Sequence, residues 1–396
     1  MVRTAKGREH FDHHAPQTAI KHAIFEKYFA AYLTVLRTRT DAFHYVDGFA
    51  GRGNYGNQPG SALRAIAALK AQSLPSTVSL VEADRKNFAA LEEALREHLG
   101  SLEEPLRIHD EFANCLPRVL GHPIYRKYRS VATFAFIDPC GVSGVRMEDL
   151  ARLLVLPRSE CLLFWNYDGL IRLLGAVASG TCKRSDLEDF FGSSAVLEQA
   201  FEVVRRSKSP RLRERRLLDL YLGALSPNVA RFLIPFRFRA AEKDKTSHYL
   251  VHCSNHPRAF TIMKDVMWRL TTEGSEAGIF QFLHDDDAGR QGSLFGTATE
   301  VARQEILDEL AKGERPVELF RKFWIERPHD LFVESQYRQI LLDLEREGLV
   351  TMIDPATGKA RPAAARIRGG KVTLAEGLHV RLSGRTALAA SVRPSE

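Results

Sequence analysis

The stretch FHYVDGFAGRGNYG, Phe43 to Gly56, decides how this 396-residue chain is read. A short β-type run, FHYVD, ends in an acid, Asp47. It breaks at once into a loop carrying Gly48, Phe49, Gly51 and Gly53, where missing Cβ atoms let backbone amides approach a ligand closely. Outward from this point strand and helix patterns alternate: helix Ser61 to Gln72, strand Val78 to Glu82, helix Arg85 to Leu99, strand Leu106 to His109, helix Glu111 to Leu120. The strand VATFAFID, a helix Met147 to Leu156 and the strand ECLLFWN continue the series. Ahead of it, residues 17–37 set Ile20, Ile24, Tyr28, Tyr32 and Val35 at helical spacing. The alternation predicts an α/β, Rossmann-like, doubly wound parallel sheet.

An acid stands at the end of each of the first three strands: Asp47, Glu82 and Asp110. An acid after the second strand is placed to accept hydrogen bonds from ribose hydroxyls, and Glu82 fits better than Asp84, which falls where it can cap the next helix. Asp110 is placed to meet an adenine amine. A dinucleotide fold calls for G-x-G-x-x-G opening a helix directly, whereas this loop reads G-x-x-G-x-G, so the set fits S-adenosylmethionine better than NAD. For any single acid, plain helix capping remains the alternative. Lys21, on the helix preceding the first strand, is placed to pair with the cofactor's methionyl carboxylate; a solvated helical lysine is the bland alternative.

The fourth strand ends Phe136-Ile137-Asp138-Pro139-Cys140-Gly141. Amino-group methyltransferases carry an Asp/Asn/Ser-Pro-Pro-Tyr/Phe tetrad at this edge. Its first side chain and a proline carbonyl accept hydrogen bonds from the target amine, an electrostatic and orienting role. Asp138 and Pro139 keep that pattern. Cys140 and Gly141 replace the second proline and the aromatic, leaving Phe164, Trp165 or Tyr167 as substitutes. A nucleophilic thiol at Cys140, as in pyrimidine-C5 methyltransferases, is a weaker alternative than a small packing residue, since only Asp168 could be its partner acid.

From Tyr167 to Leu225 the pattern is helical and charged. RFLIPFRFR and HYLVHCS then flank a polar turn and read as a hairpin, an antiparallel pair of the kind that ends the sheet in class I methyltransferases. The expected domains are a helical segment over the cofactor pocket (1–42), a methyltransferase-like domain (43–274), a linker (275–298), a winged helix (299–386) and a tail (387–396). The winged helix rests on helical stretches Thr299 to Ala311, Val317 to Trp324 and Glu334 to Glu347, followed by two β-like segments around a Pro/Gly loop.

Composition narrows the classes. Lys and Arg outnumber Asp and Glu by 56 to 49, a net charge of +7 that permits a polyanionic partner. The excess is concentrated in RRSKSPRLRERR, from Arg205 and Arg206 to Arg216, and in a wing-like stretch with Lys359, Arg361, Arg366, Arg368 and Lys371. With Arg338 and Arg346 on the preceding helix, these are the expected nucleic-acid contacts. Five cysteines without a Cys-x-x-Cys pair argue against a zinc module or a disulfide scaffold and fit a reducing compartment. His10, His13, His14 and His22 do not share a ligating helical face, so no metal is expected. Neither a membrane span nor a signal peptide is read, which predicts a cytoplasmic protein.

The runs TAIKHAIFEKYF, FHYVDGFAGRGNYG followed by PGSAL, VEADRKNF, FAFIDPCGVSG and KTSHYLVHCSNHPRAFTIMKDVMWRL, taken in order, resemble the three-Cys-motif partner protein family, TcmP. Coverage runs nearly end to end; Cys140 departs from the aromatic common after the Asp-Pro. The resemblance implies a class I methyltransferase-like core, a winged-helix tail and a co-encoded radical-S-adenosylmethionine-like partner that carries the three cysteines. The combined expectation is an S-adenosylmethionine-dependent methyltransferase acting on a nucleic-acid base amino group, with DNA preferred to RNA. The alternative is a non-catalytic subunit that positions DNA for the partner in repair or modification.

Overall fold

Strands β1 (Ala42–Asp47), β2 (Ser76–Val81) and β4 (Val131–Ile137) bury every one of their residues, as strands covered on both faces must. With β3 (Leu106–Ile108), β5 (Glu160–Asn166), β6 (Phe232–Ala240), β7 (Lys245–Ser254) and β8 (Phe280–Phe282) they form one sheet in the order β8-β6-β7-β5-β4-β1-β2-β3. The pairs among β1 to β5 are parallel, and β8 runs parallel to β6. Only β7 is reversed, pairing antiparallel with β5 on one side and β6 on the other. The computed structural model describes residues 16–56, 58–139, 141–226, 229–240, 245–271, 280–282, 294–320, 333–375 and 377–383.

Alternation along β1 and β4 divides the core. Helix α1 (Pro16–Leu36) lays Phe25, Tyr28, Phe29 and Tyr32 on one face, and all four rings surround Phe134 of β4 at centroid distances of 5.2 to 6.0 Å. α2 (Ser61–Lys70) packs against α1 and β1, and α3 (Arg85–Leu95) follows β2. The opposite face presents Val46, Ala135 and Ile137 to a cluster holding Phe112 and Leu116 of α4 (Phe112–Leu120) and Leu150 of α5 (Met147–Leu154). Helices α6 (Tyr167–Ala178), α7 (Ser185–Phe191), α8 (Ser194–Arg206) and α9 (Pro210–Leu225) extend this layer. α10 (Pro257–Arg269) joins α1. The N-terminal helix is therefore core material, and only its first turns reach the cleft described below.

The chain divides into two units, Met1–Thr272 with Ile279–Asp287, and Glu273–Gly278 with Ala288–Glu396. The first takes back part of the stretch read as a linker: Phe280 and Phe282 of β8 stand opposite Phe236 and Phe238 of β6. A three-residue strand is too short to announce itself by periodicity. In the second unit, α11 (Leu294–Ala311) and α12 (Glu334–Arg346) pack on β9 (Arg315–Pro316), β10 (Val350–Asp354), β11 (Lys359–Ala360) and β14 (His379–Leu382), ordered β9-β14-β10-β11. Between β11 and β14 a separate pair, β12 (Ile367–Arg368) and β13 (Lys371–Val372), carries part of the basic stretch. The core of this unit is Ile306, Leu310, Phe320, Leu341, Leu344, Met352 and Val380. The second half of the expected Val317 to Trp324 helix (321–324), Cys140, the histidines before residue 16 and the tail lie outside the described residues. Among the described residues no helix is long and apolar enough to cross a membrane.

Phe134→Ala is expected to cost about 3–5 kcal/mol in urea unfolding, the range for emptying a large aromatic site. A loss below about 1 kcal/mol would contradict the four-ring packing that fixes α1.

Candidate functional site

The order of strands reverses between β1 and β4, and the carboxyl ends there open onto a cleft of about 870 Å³. Gly48, Phe49 and Gly51 line it from the β1 loop, Glu82 follows β2, Asp110 follows β3, and Asp138 with Pro139 follows β4. Lys21 of α1, Phe164 of β5 and His248 of β7 complete the opposite wall. Eight of the ten residues expected from sequence to form the site thus meet in one cavity, and Asp47 and Gly53 stand behind it.

Asp47 is wholly buried. Its carboxylate accepts from the Ser61 hydroxyl at 2.6 Å, the Tyr45 hydroxyl at 3.0 Å and the Phe49 amide at 3.2 Å. It binds β1, the glycine loop and the start of α2 to one another and leaves the cleft itself to its neighbours. Burial raises its pKa to about 6, against the lowering effect of the three donors, and nearby Asp138 adds to the rise. Gly53 has φ +79°, and a Cβ there would lie 2.8 Å from Cβ of Ala94, so this glycine serves helix packing. Gly51, at φ +64°, leaves no room for a Cβ beneath the Tyr55 hydroxyl. At Gly48 a Cβ would stand 2.8 Å from Ile137 Cδ1.

Glu82 holds the loop from the other side. One of its oxygens accepts the Gly51 amide and the other the Asp84 amide, each at 2.8 Å. A carboxylate offers about four lone-pair positions, so capacity for two further donors remains. Asp84 caps α3 through the Lys86 and Asn87 amides, as its position predicted. Asp110 accepts from the Glu111 amide at 2.7 Å and the Asn114 side chain at 3.0 Å, which lower its pKa, the Asn114 bond most.

Asp138 is paired with Lys21, and both side chains are mostly covered. The same ammonium lies 4.4 Å from the Phe164 ring centroid. His248 stacks on Phe164 at 4.8 Å and 16°, and its Nδ1 is buried without a hydrogen-bond partner among the described residues. Burial and the Lys21 charge push His248 down to about 4, so it is neutral near pH 7. Of the three aromatics offered as substitutes, Phe164 is the one in the cleft, while Trp165 and Tyr167 are buried against Tyr249. His248 escaped sequence reading because it reaches this edge only when β7 inserts, reversed, beside β5. Arg146, Asp186 and Asp189 also line the cleft without having been anticipated.

The expected nucleic-acid contacts separate into two groups. Lys359, Arg361 and Arg368 are exposed in the second unit. Arg205 and Arg206 are exposed at the end of α8, both paired with Glu202. Arg338 donates to Glu334 and to the Leu374 carbonyl at 3.1 Å, fastening α12 to the loop before β14. Arg366 requires correction: it is 4% exposed, is paired with Glu345 and donates to the carbonyls of Thr373 (2.7 Å) and Arg361 (3.1 Å). Its guanidinium is consumed in holding the loop and is not available to phosphate.

This strand order, with the reversed strand β7 inserted between β5 and β6 and a glycine loop after β1, is class I methyltransferase-like. No protein-family model matches the chain, and no curated protein does. Among solved structures, a Legionella pneumophila protein of the DUF519 family shares 12% identity over 62% of this chain and 87% of its own, with a TM-score of 0.35. An O-methyltransferase from Bacillus cereus, solved with SAH, shares 12% over 61% and 83%, with a TM-score of 0.29. TomG, an O-methyltransferase of tomaymycin synthesis from Streptomyces achromogenes solved with SAM, shares 12% over 60% and 90%, with a TM-score of 0.28.

Ser61→Ala tests the buried acid. Because the folded pKa of Asp47 is raised, its ionisation weakens the fold as pH climbs from about 4 through about 6, and the Ser61 hydroxyl offsets that loss. The variant is expected to lose about 1.5–3 kcal/mol at pH 8 and distinctly less at pH 5, measured by denaturant unfolding at both. An equal loss at the two pH values would contradict an ionised, Ser61-supported Asp47. Arg366→Ala, removing one partner of a buried pair, is expected to destabilise the second unit by about 3–5 kcal/mol, read by the same method.

Proposed function

We propose that the chain is an S-adenosylmethionine-dependent methyltransferase acting on an amino group of a nucleic-acid base. The observation that carries this reading is the convergence of Asp138-Pro139 with the glycine loop, Glu82 and Asp110 in one cleft. The residues fit the cofactor: Gly48 and Gly51 line the cleft with backbone alone, Glu82 keeps acceptor capacity for ribose hydroxyls, and Asp110 is exposed for the adenine end. When bound, the cofactor supplies an electrophilic methyl group. The chain's own part is orientation. The Asp138 carboxylate and the Pro139 carbonyl accept hydrogen bonds from the target N–H groups, aligning the nitrogen lone pair and stabilising the positive charge that develops on it. A base in duplex DNA must be extruded to reach this depth.

Lys21 connects the two ligands. Its ammonium sits on Asp138 and is also the cation proposed for the methionyl carboxylate. Those demands compete: Lys21, if it held the cofactor's carboxylate, would leave Asp138 free to accept from the target amine.

The second unit is read as a winged helix that grips the nucleic acid, DNA in preference to RNA. This rests on its helices packed over an antiparallel sheet and on exposed Lys359, Arg361 and Arg368. The resemblance to the three-Cys-motif partner family adds a radical-S-adenosylmethionine-like protein as the expected companion. The second reading, a non-catalytic subunit that positions DNA for that companion, is favoured by one observation: the carboxylate needed for the target amine is already engaged by Lys21.

Calorimetric titration with S-adenosylmethionine is expected to give micromolar binding that Glu82→Ala weakens at least tenfold. Asp138→Asn, which releases Lys21, is expected to tighten it severalfold, and Lys21→Ala to weaken it. Absence of binding by the wild type would sink the methyltransferase reading. Binding without tritiated-methyl transfer to DNA, tRNA or rRNA would favour the accessory role. Under the first reading Asp138→Ala abolishes transfer; under the second it leaves DNA binding and the companion's activity near normal.

A further inference from the structure

A second cavity, of about 450 Å³, opens at the opposite end of the sheet, beside the amino end of β5 and the carboxyl end of β7. It is formed by the later turns of α1, the first turn of α10 and the loop leading into β5. Its size lies within the roughly 300–1,000 Å³ usual for small-molecule sites. Apolar side chains such as Leu36, Leu154 and Ile262 supply part of the wall, with the rings of Tyr28 and Tyr32 among them.

Three arginines line it: Arg39, Arg158 and Arg258, all exposed. The side chains of Arg39 and Arg258 have no partner among the described residues. Arg158 is held in place. Its φ is +57°, a left-handed conformation costly for a residue with a Cβ, its carbonyl accepts from the Tyr32 hydroxyl at 2.8 Å, and its Nη1 donates to Ser130 at 2.9 Å. A single acid, Glu160, lines the cavity and is almost fully buried. One of its oxygens receives the Tyr28 hydroxyl and lies 3.0 Å from His252 Nε2; the other has no partner among the described residues.

We propose that this cavity binds a nucleoside 5′-monophosphate whose base carries an amino group. The arginines at the mouth take the phosphate, where guanidinium geometry matches phosphate oxygens. The base lies among Tyr32 and the aliphatic wall, and its amine donates to the free oxygen of Glu160. A base without a donor leaves that oxygen's acceptor capacity unused. A neutral nucleoside leaves the arginines unanswered. The site is separate from the cleft, so it stands whether or not the methyltransferase reading does.

The test is calorimetric titration of the full chain with AMP, GMP, CMP and UMP, with inorganic phosphate alongside. At least one amino-bearing nucleotide is expected to bind at one equivalent, and UMP and phosphate at least tenfold more weakly. Arg39→Glu with Arg258→Glu, both at exposed positions, is expected to reduce that affinity at least tenfold while the urea unfolding midpoint stays at the wild-type value. Glu160→Gln should erase the preference over UMP. The proposal is overturned if no nucleotide binds, if the double charge reversal leaves affinity unchanged, or if S-adenosylhomocysteine displaces the nucleotide, which would place it in the cleft.

Discussion

A carboxylate sealed from water holds the centre of this molecule together. Asp47 ends β1, and its three donors come from the strand behind it, the loop ahead of it and the helix after that loop. An ionisable group in such a place is tolerated only because its lone pairs are answered. The glycine loop is consequently pinned at its root by Asp47 and at its crest by Glu82, which accepts the Gly51 amide. The wall of the cleft owes its shape to these two acids, one hidden and one facing the cavity.

Much of this was legible in the chain itself, for identifiable reasons. Strands buried on both faces show as apolar runs, and acids at their ends show because nothing in a strand core tolerates them; β1, β2 and β4 with Asp47, Glu82 and Asp138 follow from that. What composition does not reveal is the direction in which an acid turns. Asp47 is the last residue of β1, opposite Leu80, and Ser61 and Tyr45 hold it inward, whereas Glu82 follows β2 and faces the cleft. Arg366 and Arg368 sit two residues apart in the same basic run, yet Arg366 closes a 3-10 turn as a buried clasp on Glu345, while Arg368 lies exposed in β12. His248 belongs to the wall through topology alone, since only the reversed strand carries it to the side of Phe164.

Helix α1 ties the two cavities together. Lys21 and His22 line the cleft near its beginning, and Tyr28, Tyr32 and Arg39 line or adjoin the second cavity toward and beyond its end. At about 1.5 Å per residue, Lys21 and Tyr32 stand roughly 16 Å apart along one rigid element. The rings between them are wedged around Phe134. A displacement of the helix at either end must be accommodated by that ring packing or passed to the other end.

The short strand β8 has a consequence for how the chain can be divided. Its three residues cover the outer edge of β6, a strand rich in phenylalanine whose amides and carbonyls would otherwise lie open. An uncovered apolar edge is a template for pairing with a neighbouring chain. A fragment ended at Thr272, where the first unit breaks off, would lack this cover and would be prone to aggregate by edge-to-edge association. One carried through Asp287 would keep β8 over Phe236 to Phe238 and end its sheet on a three-residue edge instead.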